Sequence, residues 1–227
     1  VPISSACAVA GIVVGTIGQT GIGLQFTESV VAMSGGQLWF ALILIAFAAL
    51  VLGMGLPATA AYIVLAVMTG PALQDLGLPL LVAHMIIFWL AQTSNVTPPI
   101  ALAAFAGAGI AGASPMKSAF SAFKLANGLF LIPLMMAYSS LLLVDGNSWG
   151  DVILSAVCTL VIMLLIALTL EGFWSKPFTM FQRALAAGLA LLLIWPSLYT
   201  RLAGFLGFVT FILVFRGHFV QRRSTED

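Results

Sequence analysis

The sequence predicts an all-α integral membrane protein of several apolar helices, two of them interrupted. Three observations carry this. The 227 residues are 62% hydrophobic and 7% charged, with a mean hydropathy of +1.17. Eight Lys/Arg and seven Asp/Glu cannot clothe a watery surface, since a soluble domain is about 25% charged. The apolar residues fall in long runs of the kind that cross a bilayer. Two runs, 37–73 and 79–112, each break near the middle.

Composition also excludes function classes. A net charge of +1 points to no partner, and the one adjacent basic pair is Arg222-Arg223, so nucleic acid is not expected. Cys7 and Cys158 sit in apolar runs, and His84 and His218 lie far apart. No disulfide framework, metal spacing, hydrolase triad or phosphate loop is present, which predicts neither an enzyme nor a cofactor. The chain opens on Val1 without a charged segment, so its start does not read as a signal peptide, and the chain reads as a fragment or the tail of a longer one.

Residues 5–24 form the first spanning candidate, with Gly11, Gly15 and Gly18 as a small-residue face for helix contact. Residues 27–36, with Glu28, read as a connection. The run 37–73 breaks at Gly53-Met54-Gly55-Leu56-Pro57. The run 79–112 breaks at Gln92-Thr93-Ser94-Asn95-Val96-Thr97-Pro98-Pro99. Each arm is roughly 13–18 residues, which at ~1.5 Å per residue reaches half to most of the way across a ~30 Å hydrocarbon layer. No Lys or Arg precedes Lys117 and Lys124, so the positive-inside tendency puts 113–124 in the cytoplasm. Residues 74–78 are then outside, 79–112 is a crossing split helix, and 37–73 is a re-entrant hairpin entering from outside.

Residues 114–124 alternate Phe with Lys and Ser, as an interfacial turn does. A span follows at 125–144, containing Asn127 and Pro133. Asp145-Gly146-Asn147 is a turn before Trp149. Residues 152–170 span, 171–183 form an aromatic, basic loop, and 184–200 span again. Residues 202–215 are a last thin span or an interfacial helix after a turn at Arg201, so 145–215 holds two or three membrane helices. Residues 216–227 read as a disordered cytoplasmic tail.

A broken helix frees backbone N–H and C=O groups, which lipid does not tolerate unless they face protein or a wet cavity. Free carbonyls there take a cation, and helix N-termini face an anion. The candidate ligands are the hydroxyls and amide of Ser94, Asn95 and Thr97, the backbones of Gly53, Gly55 and Thr93, and the Thr59 hydroxyl. Pro57, Pro98 and Pro99 shape the breaks, with Pro57 and Pro98 starting the returning arms. Plain capping of the helix ends is the competing reading of the same polar residues. Glu28, Asp75, Asp145, Asp151 and Glu171 all fall near ends of predicted spans, so no proton relay stands at depth. Neutral oxygens suit Na⁺ as the coupling ion. His84 reads as a core or lipid-edge residue and Lys124 as a snorkelling one.

At GMGLPATAAYIVLAVMTGPAL (53–73) and TSNVTPPIALAAFAGAGIAGASPMKSAFSAFKLA (93–126) the chain resembles the large, DctM-like permease subunit of tripartite ATP-independent periplasmic (TRAP) transporters. It is most similar to the fused permeases that work with TAXI-type binding proteins. The words GMGLP (53–57), TPP (97–99) and ASPMK (113–117) carry the likeness, and GIVVGTIGQTGIGLQF (11–26) fits it. The resemblance covers 1–144 and implies the second of two inverted repeats in an elevator-type transporter. It implies Na⁺ sites at the hairpin tip and the helix break. It further implies a small organic acid substrate, a C4-dicarboxylate or an amino-acid-like molecule, delivered by a periplasmic binding protein. A small four-helix subunit or fused domain and the N-terminal half of the permease would complete the machine in a bacterial inner membrane. Residues 145–215 resemble the C-terminal extension of some fused members. Two other readings stay open: a binding-protein-independent sodium/dicarboxylate symporter of the elevator type, and a non-transporting structural membrane subunit.

Overall fold

The computed structural model of the protein describes residues 2–144, 146–174, 176–195 and 197–215. The expected tail 216–227 and Asp145 of the expected turn lie outside the described residues. The described chain is all helix and turn apart from one isolated bridge, Phe173 to Pro177. It divides into two compact units, Val1–Ala137 and Tyr138–Asp227.

The first unit holds α1 (Pro2–Thr20), α2 (Ile22–Ser34), α3 (Leu38–Leu52), α4 (Ala58–Asp75) and α5 (Leu80–Ala91). A 3₁₀ turn (Thr93–Asn95), α6 (Leu102–Ala111), α7 (Pro115–Leu125) and α8 (Gly128–Tyr138) follow. Its centre is α4, which touches α1, α2, α3 and α5. The helix is apolar on every side and rich in small residues, as a fully surrounded helix must be. Ala60, Ala61, Leu65, Ala72 and Leu73 are buried, and so are Ile45 of α3 and Ile86 and Ile87 of α5. Pro71 lies within α4 and has no N–H for the Val67 carbonyl. Gly23 of α2 packs there, where an added Cβ would stand 3.6 Å from that oxygen. Thr27 of α2 donates to the Met68 carbonyl at 3.2 Å and ties the same two helices.

Several expectations change in this unit. Residues 27–36 are not a connection: all but the last two belong to α2, which the left-handed Gly35 closes (φ 59°) with N–H bonds back to Ala32 and Val31 from Gly35 and Gly36. Glu28 therefore sits mid-helix, not at a span end, on an exposed face while Thr27 and Val30 face inward. The polar Gln19-Thr20 stretch ends α1, and Gly21 (φ 70°) restarts the chain as α2. A Cβ added at Gly11, Gly15 or Gly18 would meet nothing within 4 Å, so α1 meets α4 and α2 without using this face. The close approach is made one helix later, at Gly23, because α1 and α2 both meet α4.

Residues 115–125 form a helix, α7, where the sequence suggested a turn. α7 and α8 follow each other with only a bend at Ala126-Asn127, where the Asn127 side chain donates to the Lys124 carbonyl at 3.1 Å. Together 115–138 make a 24-residue apolar stretch long enough to cross a membrane. Regular helix ends at Tyr138, so the span does not continue to 144 as the apolar run implied.

The second unit holds α9 (Trp149–Glu171), α10 (Met180–Ile194) and α11 (Leu198–Val214), each in contact with the other two. α9, at 23 residues, is the second helix long and apolar enough to cross a membrane; α10 and α11 are shorter. Local chemistry sets the ends. Ser148 and Asp151 form a reciprocal cap on α9, and Thr179 and Gln182 do the same on α10. That second cap starts α10 at Met180, so the loop is shorter than 171–183 and Phe181 and Arg183 are helical. Arg183 turns back to α9, donating from Nε to the Thr169 carbonyl at 2.8 Å and from Nη2 to the Leu170 carbonyl at 3.1 Å. No break falls at Arg201: α10 ends at Ile194, α11 begins at Leu198, and Arg201 is inside α11. Gly204 and Gly207 let α11 approach α10, since a Cβ at either would meet Leu193 or Leu189 at 2.6 or 2.5 Å.

Arg183→Leu should free the last carbonyls of α9 and lower stability by about 1–2 kcal/mol, the scale of a partly exposed hydrogen bond to a charged group. Thermal unfolding in detergent, followed by helical circular dichroism, checks this. An unchanged midpoint would show that the cap contributes nothing.

Candidate functional site

The first break is a five-residue turn between α3 and α4, which are in contact. Gly53 ends α3 with its N–H on the Ala49 carbonyl at 2.9 Å. Leu56 donates to the Gly53 carbonyl at 3.2 Å, and Gly55 takes the left-handed region (φ 78°) that reverses the chain. Pro57 then stands at the N-cap of α4 in extended backbone. No side chain caps α4, and Thr59, on its exposed first turn, makes no hydrogen bond among the described residues. Thr59 is therefore not the cap that its position invited.

The second break is longer than its polar core, running from Gln92 to Ala101. Asn95 donates to the Gln92 carbonyl at 3.2 Å, while Val96 and Thr97 both donate to the Thr93 carbonyl, at 3.2 and 3.0 Å. The Pro98-Pro99 peptide is cis. Ala101, fully buried, takes φ 32° as the N-cap of α6, a region that costs a non-glycine residue about 1 kcal/mol. Pro98 therefore does not start the returning arm, which begins only at Leu102. α5 and α6 connect through the 3₁₀ turn and share no extended contact of their own.

The polar atoms at this break are short of partners. Thr93, fully buried, donates its hydroxyl to the Leu90 carbonyl at 2.7 Å. Ser94 is 5% exposed, and its Oγ has no hydrogen-bond partner. The Oγ1 of Thr97 is likewise enclosed and unpartnered. Among the described residues the carbonyls of Ser94, Asn95 and Val96 receive no backbone N–H. Neither hydroxyl caps a helix, so the capping reading fails for Ser94 and Thr97. An unsatisfied buried polar atom costs about 1–3 kcal/mol, and most native ones are paired.

The structure brings the two breaks together at one point. A Cβ added to Gly53 would lie 2.7 Å from the Oγ and 3.1 Å from the Cβ of Ser94, and 2.6 Å from the Ala49 carbonyl. The first two distances place the bare backbone of one break against the unpartnered hydroxyl of the other. Of the remaining sequence candidates, Gly55, Pro57 and Pro99 are exposed, while Asn95 and Pro98 are half-buried. His84 is held by Tyr62, whose Oη lies 3.0 Å from its Nδ1, with Phe88 edge-on to the same ring. That tether between α4 and α5 suits a packing role for His84. Sequence reasoning missed both the Gly53–Ser94 contact and this tether, because each joins residues remote in the chain.

Residues 1–144 match the family described as the DctM component of the tripartite ATP-independent periplasmic transporter. The chain belongs to this family. It is thus a transport permease component and not an enzyme, and its two long apolar helices agree with a membrane protein. Both breaks lie within the matched residues. No curated protein matches the chain. No solved structure matches it either.

Gly53→Ala should destabilise the first unit by about 1–3 kcal/mol, because the new methyl meets a backbone carbonyl and the Ser94 side chain. Gly55→Ala tests a different term, the positive φ, and should cost about 1 kcal/mol with no steric contact. Thermal unfolding of both variants in detergent separates the two. Equal midpoints for Gly53→Ala and wild type would show that the breaks do not press on one another.

Proposed function

We propose that the chain is the second inverted repeat of a Na⁺-coupled TRAP-type transporter of the elevator kind. In this reading it imports a small organic acid, a C4-dicarboxylate or an amino-acid-like anion. The observation that carries the proposal is the pair of enclosed, unpartnered hydroxyls of Ser94 and Thr97 at a helix break that abuts Gly53. A hard monovalent cation takes neutral oxygens, and hydroxyls with free lone pairs beside open carbonyls supply them. Gly53, Gly55, Thr59, Thr93, Ser94, Asn95 and Thr97 are the candidate ligands. Ser94 and Thr97 lead, because the Thr93 carbonyl already accepts two N–H groups. The start of α4 has no side-chain cap, nor has that of α6, and neither carries an acidic residue in its first turn. Such uncapped N-termini favour a substrate carboxylate.

The remaining parts follow the family. Residues 37–73 form the re-entrant hairpin and 79–112 the crossing broken helix of a multi-pass protein in the bacterial inner membrane. Residues 145–215 are the C-terminal extension, and 216–227 the cytoplasmic tail. A TAXI-type periplasmic binding protein hands over the substrate. A small four-helix subunit or domain and the N-terminal half of the permease complete the transporter.

Uptake by the complete transporter, measured against Na⁺ concentration, tests this reading. Ser94→Ala, Asn95→Ala and Thr97→Val should each raise the Na⁺ needed for half-maximal uptake by roughly 3- to 10-fold. Removing an unpartnered buried hydroxyl leaves no orphaned group, so Ser94→Ala and Thr97→Val should not lower stability measured without Na⁺. Added Na⁺ should then raise the melting temperature of the wild type more than that of these variants. Identical Na⁺ curves for all three would overturn the assignment.

A further inference from the structure

Arg201 is the fourth residue of α11, within an apolar unit, and its charge is not answered by the protein. Its Nη1 lies 3.4 Å from the Oγ of the buried Ser155, a weak contact. Its Nε is enclosed and has no hydrogen-bond partner. Among the described residues no carboxylate pairs with it: Asp151, the nearest acid in sequence to Ser155, is held in the Ser148 cap. An arginine keeps its charge in any protein environment, and this half-buried one has no counter-charge among the described residues.

The surroundings say what kind of molecule brings it. Arg201 lines a groove of about 310 Å³ between α9 and α11. The walls are apolar: Ile153, Leu154 and Val157 from α9, and Leu202 and Phe205 from α11. All five of these side chains are exposed. The groove reaches Gly150, the second residue of α9, so it opens where α9 and α11 both begin. Exposed Trp149, Trp195 and Tyr199 stand at this same end, as aromatic side chains do at the headgroup level of a bilayer. The N-terminus of α11 carries no side-chain cap and adds positive potential, while that of α9 is already answered by the Asp151 carboxylate.

A fixed cation whose Nη2 makes no hydrogen bond among the described residues, over an apolar groove, matches an amphiphile with an anionic head and a hydrocarbon tail. We infer that this groove holds an anionic phospholipid. Its phosphate accepts from the Arg201 guanidinium, and its acyl chain lies along Val157, Leu202 and Phe205. Basic residues between membrane helices are a known physical solution for anionic headgroups. The inference uses only the second unit and does not depend on the cation site at the helix breaks.

The full chain in vesicles of phosphatidylglycerol and phosphatidylcholine provides the test, with retained lipid counted by native mass spectrometry after mild extraction. Wild type should retain phosphatidylglycerol in preference to phosphatidylcholine. Arg201→Gln should lose that preference by about tenfold, the scale of one charge-assisted hydrogen bond, and Arg201→Lys should keep part of it. Val157→Trp fills the groove without touching the charge and should also lose the lipid, which keeps the test valid if Arg201→Gln does not fold. Equal retention by Arg201→Gln and wild type, or full retention by Val157→Trp, would overturn the inference. Excess soluble glycerol 3-phosphate should leave the lipid in place. Its displacement would mark a site for free phosphate instead and would equally end the lipid assignment.

Discussion

A helix that stops must hand its loose main-chain groups to something, and this chain stops twice within the residues that match its family. The two stops are pressed together where Gly53 meets Ser94. That contact admits no side chain on one partner and leaves the hydroxyl of the other without a hydrogen bond. Any larger residue at 53 would push the breaks apart. The rest of the first unit holds the two together: α4 returns from one break and packs along α5, which leads into the other. Tyr62 and His84 pin those helices to each other on the way.

Although Ser197 makes no side-chain cap on α11, three helix ends in the second unit use polar neighbours for capping, through Ser148 with Asp151, Thr179 with Gln182, and Arg183 on the end of α9. The breaks of the first unit do not. Their starts at α4 and α6 lack side-chain caps, with Pro57 and Ala101 at the N-cap positions. The enclosed hydroxyls of Ser94 and Thr97, left without partners, represent retained cost.

The interrupted helices were legible because Gly, Pro and polar residues inside apolar runs have strong local meaning. GMGLP and TSNVTPP mark the breaks without help from the fold, and the first turn ends where its proline stands. The second break outlasts its polar residues: Ala101, a good helix former, sits at φ 32° because the chain is redirected there. The same limit explains α2. TESVVAMSGG looked like a linker by its polarity, yet α4 offers a partner that makes the stretch helical and buries Thr27 and Val30. The glycines of α1 show the reverse case. Their spacing promised a helix contact, and the contact is made at Gly23 instead. Arg201, at the expected turn, is inside a helix because α10 ends earlier, at Ile194, and α11 begins at Leu198.

By itself the sequence determined that the protein is helical, apolar enough for a membrane, twice interrupted, and alike in its words to a transporter permease. Those properties depend on composition and on neighbours a few residues apart, which act wherever the chain goes. Only the tertiary structure decided which break touches which, that Ser94 and Thr97 are enclosed without partners, and that Arg201 faces an apolar groove. These depend on groups forty or more residues apart along the chain, as Gly53 and Ser94 are. Their encounter is set by the packing of whole helices around α4, and by α9 against α11, which no local pattern encodes.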